Sequence, residues 1–300
     1  MPDERELYAL FSLLDDPQPS VQVAVRDRLL AIGEEAVSVL RRLANIHNQN
    51  FERVEELVDE IRMTCTLRRL AASLENPSKE TDLEEGVFVI ARYGYPDVNV
   101  EAYTRRLTDM ASDIRILAGA RAAPIDRFMK MRSYLFSELG FMGNQHDYYN
   151  PDNSYFNKVI DYRRGIPITL SVLMLLVGSR LDLNLHGVGM PMHFLVQYDD
   201  GSRMFFVDPF NAGMIITQEQ CKTLLSANGI AFTPSMLAPV GNNEILERMW
   251  RNLYISYQKT GNEAEVGRIA RILQFIDPEF SVGFSPSPDE DDIEDEDDEE

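Results

Sequence analysis

The sequence predicts an α+β protein: a helical N-terminal region, a core in which a buried central helix packs on a small antiparallel sheet, and a C-terminal helical hairpin. Three observations carry that expectation. Residues 1–75 place apolar side chains three and four apart, with repeated helix stops. Residues 168–181 are apolar nearly all round, as a helix at the centre of a domain must be. Residues 184–207 then form strand-length runs around Asp200-Gly201, a strong hairpin turn.

Taken in order, Leu7, Leu10, Phe11 and Leu14 make a first stripe, stopped by Asp15-Asp16-Pro17. Ser20 is a candidate N-cap for a helix carrying Val21, Val25 and Leu29, which Gly33 closes. Val37, Leu40 and Leu43, then Val54, Leu57 and Ile61, continue the pattern. The run VAVRDRLLAIGEEAVSVLRRLA resembles a HEAT-type repeat, but one copy is weak evidence and an ordinary helical subdomain is the simpler reading. Residues 76–81 read as a linker. Helices are expected from Leu83 to about Arg92, Val100 to about Leu117, and Ile125 to Leu139. The stretch FMGNQHDYYNPDNS has neither helical nor strand period and reads as a loop, either functional or packed. A short helix follows Ser154, and Pro167 stands where a first-turn proline belongs. Strands are expected over 184–189, 193–198 and 203–207, then a helix over 218–226. Two antiparallel helices are expected over 246–277, meeting at Gly261-Asn262. In that hairpin Trp250, Leu253, Tyr257 and Pro278 match the spacing of a tetratricopeptide repeat, although Tyr254 takes its glycine position.

Composition excludes several classes. The 300 residues suffice for two or three compact units, and 29 Lys+Arg against 49 Asp+Glu give −20. Eleven of those acids lie in residues 289–300, which leaves −9 for the rest. No basic surplus exists to bind nucleic acid or an anionic membrane. The end, SPSPDEDDIEDEDDEE, offers nothing apolar to bury and is expected to be disordered. Cys65 and Cys221 cannot build a disulfide framework or a thiolate zinc site. MPDERELYAL lacks a signal pattern, and no apolar stretch is long enough to cross a bilayer, so a cytoplasmic setting is expected. Neither a phosphate loop nor a dinucleotide fingerprint is present, and no cofactor is expected.

The order of buried helix, histidine-led strand and hairpin ending in Val207-Asp208-Pro209 resembles the transglutaminase-like, papain-related core. The blocks DLEEGVFVIARYGYPDV, YLFSELGFMGNQHDYYNPDNSYFNKVIDYRRGIPITLSVLMLL, GVGMPMHFLVQY and VDPFNAG resemble the SirB-type family of bacterial transglutaminase-like proteins over residues 80–215. The resemblance implies a core at about 82–225, flanked by a HEAT-like region at 1–75, a tetratricopeptide-like hairpin at 240–280 and the acidic tail at 281–300. It also implies a cleft in which His193 matches the family histidine and Asp208 the aspartate. In active members a cysteine opens the central helix; the helix start lowers its thiol pKa, imidazole takes the proton and the carboxylate orients the ring. Here Gly165-Ile166-Pro167 puts Pro167 in the thiol's place.

Two readings follow. In the first the chain is a pseudoenzyme whose former active-site cleft recognises a protein or peptide in a regulatory role. The lining is then expected from Asn144, His146, Asp147, Tyr148 and Tyr149 with Pro167, His193 and Asp208; tyrosine and asparagine in an irregular loop suit adaptable recognition. In the second the chain is a hydrolase or acyl transferase on amide or ester bonds. His193 is its base, Asp208 orients the base, and Ser171, Thr169 or a water is the nucleophile. A serine one turn inside a buried helix also suits a bond to a main-chain carbonyl. His193 has its own bland alternative, a hydrogen bond that serves strand packing. His47, His146, His186 and His193 show no ligand spacing, and no metal is expected; a set of His146, His193 and Asp208 requires the loop to fold over the strands.

Overall fold

A computed structural model describes residues 3–74 and 81–281. Most of the linker read at 76–81, and the acidic tail beyond Ser281, lie outside the described residues. The chain divides into two compact units, residues 1–81 with 85–100, and residues 82–84 with 101–300.

The first unit is helical. Asp3 caps α1 (Glu4–Ser12), its side chain accepting from the Arg5 N–H at 3.0 Å. Helix α2 (Pro19–Ile32) starts two residues earlier than a Ser20 cap implies, with Gln18 as N-cap and Pro19 as the first helical residue. Proline's fixed φ is already helical there and its missing N–H costs nothing. A 3₁₀ turn over Gly33–Ala36 leads into α3 (Val37–His47), and α4 (Phe51–Leu74) follows. Leu7, Leu29, Leu40, Val58 and Ile61 form the dry centre, with Cys65 at its margin. Helix α5 (Leu83–Gly94) comes next; within this unit the Arg62 guanidinium donates to the Tyr93 carbonyl at 2.6 Å.

The second unit carries α6 (Val100–Ala118) and α7 (Pro124–Arg132). Helix α7 does not continue to Leu139 as a single α-helix: it widens into a π-turn over Ser133–Glu138, where the Leu139 N–H reaches back five residues to the Tyr134 carbonyl at 2.8 Å. Strand β1 (Met142–Gly143) pairs in parallel with β2 (Arg164–Gly165), and α8 (Phe156–Tyr162) lies between them in sequence. Helix α9 (Pro167–Arg180) is buried at every position from Pro167 to Gly178. It packs on a five-stranded antiparallel sheet of β3 (Leu185–Val188), β4 (Leu195–Asp199), β5 (Met204–Asp208), β6 (Met214–Ile216) and β7 (Pro239–Val240), ordered β6-β5-β4-β3-β7. Pro239 needs no ladder donor because β7 is an edge. Helix α10 (Gln218–Ala227) covers one end through Cys221 and Leu225. Helices α11 (Asn242–Lys259) and α12 (Glu263–Ile276) pack together as the C-terminal hairpin.

Strand β4 begins at Leu195 rather than at His193. The residues before it make a tight turn in which the His193 N–H donates to the Met190 carbonyl at 3.1 Å, with Pro191 and a left-handed Met192 (φ 60°) at its centre. Proline and a positive φ at those two positions define a type II turn, and neither continues a ladder.

The helix start beneath this turn is tightly filled. A Cβ added at Gly165 would lie 2.7 Å from Thr169 Oγ1 and 3.2 Å from Val159. Gly165→Ala is expected to destabilise the protein by about 1–3 kcal/mol in urea unfolding. Gly267→Ala, on an exposed position of α12 where an added Cβ meets nothing, is expected to stabilise by about 0.5–1 kcal/mol. Equal effects at the two sites would contradict this account of the packing.

Candidate functional site

Asp208 ends β5 with only 2% of its surface exposed. Its Oδ2 lies 2.8 Å from His193 Nε2 and accepts from the Asn211 side-chain amide at 2.8 Å, while Oδ1 accepts from the Asn211 N–H at 3.1 Å. The His193 nitrogen is close to the carboxylate but not aligned for a hydrogen bond, so the pair rests on contact more than on directionality. Burial pushes the Asp208 carboxyl up, but His193 and the two Asn211 donors outweigh it and hold the group below its ordinary value. The two ring nitrogens of imidazole point to opposite sides, so with Nε2 at Asp208 the Nδ1 edge is turned away from the carboxylate.

Opposite the histidine stands the beginning of α9. Ile166 is its N-cap and Pro167 its first residue. The Thr169 hydroxyl accepts from the Ile166 N–H at 3.1 Å and donates to the Asn153 carbonyl at 2.8 Å. Ser171, fully buried one turn further in, donates to the Phe194 carbonyl at 3.3 Å. Both hydroxyls that sequence reasoning offered as nucleophiles are therefore committed to main-chain oxygens. Cys221 is wholly buried under the sheet, and burial pushes its thiol up.

The loop before α8 is organised by asparagines. Buried Asn153 donates to the carbonyls of Asp147 and Tyr148 at 2.7 and 3.0 Å and accepts from the Asn144 amide at 3.0 Å. Asn150 caps the 3₁₀ turn Pro151–Asn153 and donates to the Asp147 carboxylate at 2.7 Å. These bonds satisfy main-chain groups that an irregular segment leaves open. They fix Tyr148 and Tyr149, whose rings meet edge to face at 5.3 Å; Tyr148 also contacts the Phe210 ring at 5.9 Å.

Two adjoining hollows share Tyr148, Pro167, Met192 and His193. One, of about 40 Å³, extends to Tyr149 and to Arg248, Asn252 and Ser256 of α11. The other, of about 290 Å³, extends to Asp208, Phe210 and Asn211 and to Leu224, Leu225 and Asn228 around α10. Five of the expected lining residues (Tyr148, Tyr149, Pro167, His193 and Asp208) come together here. Asn144, His146 and Asp147 do not line either hollow: Asn144 is internal scaffold, and His146 and Asp147 face solvent. Nothing in the sequence signals the α11 wall, because a helix packed across a site from far along the chain is set by topology. Arg248 joins that wall to the turn, donating to the carbonyls of Met190 and His193 at 3.2 and 3.3 Å. Among the described residues, no group of three or more His, Cys, Asp or Glu side chains is arranged to hold a metal, and no helix is long and apolar enough to cross a membrane.

The chain is similar in sequence to a known family and to several known proteins. The family model of the transglutaminase-like superfamily matches residues 101–251. A UPF0162 protein of Xylella fastidiosa (strain 9a5c) is 32% identical over 219 residues, covering 68% of this chain and 75% of that protein. A UPF0162 protein of Vibrio cholerae is 26% identical over 171 residues, covering 56% and 63%. The human F-box only protein 21 is 33% identical over 131 residues, covering 41% of this chain and 20% of that one. No solved structure matches significantly.

Because the folded Asp208 carboxyl lies below its unfolded value, it contributes stability above about pH 4 that is lost as pH falls through the folded value. Asp208→Asn is expected to cost about 1–3 kcal/mol at pH 7. The gap between the two proteins should narrow when urea unfolding is repeated at pH 3. A gap that widens on acidification would contradict the assignment.

Proposed function

We propose a function from one premise: this chain belongs to the transglutaminase-like superfamily, and its relatives there are UPF0162 proteins. Its sequence blocks resemble the SirB-type members of that group. The chain acts by recognition rather than turnover: the groove at His193 binds a polypeptide segment, in a regulatory role, in the cytoplasm. A single observation carries this reading. At the helix start that faces His193, Pro167 supplies neither a thiol nor a main-chain N–H. Acyl transfer needs a nucleophile and a donor for the developing oxyanion, and a proline at that point removes both.

The groove keeps features that binding uses. Tyr148, Tyr149 and Phe210 offer broad rigid contact area, and Met190 and Met192 adapt to what they meet. The left-handed Met192 is held in a conformation that costs about 1–3 kcal/mol, of the kind that persists where surroundings over-determine it.

The retained 2.8 Å contact of His193 with Asp208 favours a second reading, in which this pair activates a water against an amide or ester. Peptide selection against the full chain separates the two. The best ligand is expected to bind about tenfold more weakly to Tyr148→Ala and to Met192→Ala, and to be recovered intact. Progressive cleavage of that ligand, abolished in His193→Ala, would establish the hydrolase instead.

A further inference from the structure

We propose that the groove recognises the free C-terminus of a polypeptide. The terminal carboxylate enters the 40 Å³ hollow at the start of α9, and the last side chain, a large apolar one, occupies the adjoining 290 Å³ hollow. This rests on reading the groove as a polypeptide-recognition site.

The smaller hollow collects donors that the fold leaves unused. Ile168 lines it as the second residue of α9, and its N–H has no acceptor among the described residues. First-turn N–H groups and the helix macrodipole together favour an anion. A stripe of α11 lines the same hollow, with Asn252 and Ser256 one turn apart on it. Ser256 is only 4% exposed, yet its hydroxyl has no hydrogen-bond partner among the described residues, and neither has the Asn252 amide. Polar groups withdrawn from bulk water and left unbonded are matched when a ligand brings acceptors to them. The third member of the stripe, Arg248, is bonded to the carbonyls of Met190 and His193.

Size and charge narrow the ligand. At roughly 10–15 Å³ for each water-sized group, 40 Å³ takes about three such groups, which a carboxylate fills and a phosphate exceeds. The chain is acidic overall, but neither Asp nor Glu lines this hollow; Asp208 borders only the larger one. The two hollows share Tyr148, Pro167, Met192 and His193, so the carboxylate and the apolar side chain must be adjacent in the ligand. In a C-terminal residue a single Cα carries both. Beside an internal Asp or Glu of an extended chain, the next side chains point to the opposite face. The larger hollow is walled by Met190, Pro191, Met192, Phe210 and Leu224, which suit Leu, Met or Phe. Of its polar groups, Asp208 and Asn211 are bonded to each other, and Asn228 donates to the Leu224 carbonyl. Capture of a chain end by main-chain N–H groups is a recurrent mode of peptide recognition.

The test uses the full chain and octapeptides labelled with fluorescein at the N-terminus, read by anisotropy. One series varies the last residue and keeps its carboxylate free, a second ends in the carboxamide, and a third adds an internal Glu to the carboxamide form. Tight binding is expected only from free acids ending in Leu, Met or Phe, and amidation should weaken it about tenfold or more. Ser256→Ala is expected to weaken the acid several-fold and to leave the amide unchanged. Equal binding of acid and amide, or tight binding of the internal-Glu series, would overturn the proposal. So would a preference for the acid that survives Ser256→Ala combined with Asn252→Ala. In each of those cases, binding that is lost in Tyr148→Ala leaves the recognition reading standing. No binding in any series would also overturn the proposal, and an empty peptide selection besides would sink the recognition reading with it.

Discussion

Asp208 carries a carboxylate to the end of a central strand where almost none of it reaches water, and the groove is arranged around that demand. A buried charge without partners costs several kcal/mol, more than a domain of this size can lose at one point. Three groups answer it: the His193 ring, the Asn211 amide and the Asn211 N–H. Each depends on something further out. The histidine is aimed by the Pro191–Met192 turn, which Arg248 ties to α11. Asn211 lies in the short connection between β5 and β6, next to Phe210, which seats against Tyr148.

The same economy governs the helix start. Thr169 bonds at once to the N-cap residue and to the loop carbonyl of Asn153, so the entry to α9 and the asparagine loop are one hydrogen-bonded piece. Asn153 then holds the tyrosine main chain from the other side. Every polar side chain near Pro167 that sequence reasoning offered as a nucleophile is used up in this scaffold. What faces the groove is aromatic, thioether and proline surface with a histidine edge, flanked by the polar side chains of Arg248, Asn252, Ser256, Asp208, Asn211 and Asn228.

Much of the fold was legible because periodicity and punctuation were strong. The run 168–181, apolar nearly all round, reads as a central helix, and Asp200-Gly201 is a strong hairpin signal. The edge strands β6 and β7 and the two-residue pair β1–β2 were not legible, since segments of two or three residues carry no period. In the site, His193 and Asp208 were readable from order and spacing, and Pro167 from its place before the helix. Ser20 failed as a cap because Pro19 is the stronger start signal. His193 failed as a strand residue because a positive φ at Met192 cannot be foreseen from a methionine. The α11 wall was invisible for a third reason: it depends on how the C-terminal hairpin packs on α9.

The central claim is that Pro167 occupies the place of a nucleophile beside a still-formed His193–Asp208 pair. The most direct test is the pH dependence of iodoacetamide alkylation in Pro167→Cys, compared with Pro167→Cys carrying His193→Ala. A thiol at that helix start, facing the imidazole, should titrate below about pH 7.5 and return towards about 8.5 when the histidine is removed. An ordinary thiol value in both proteins would contradict the claim, because the groove would then lack the geometry of the site it is taken to descend from.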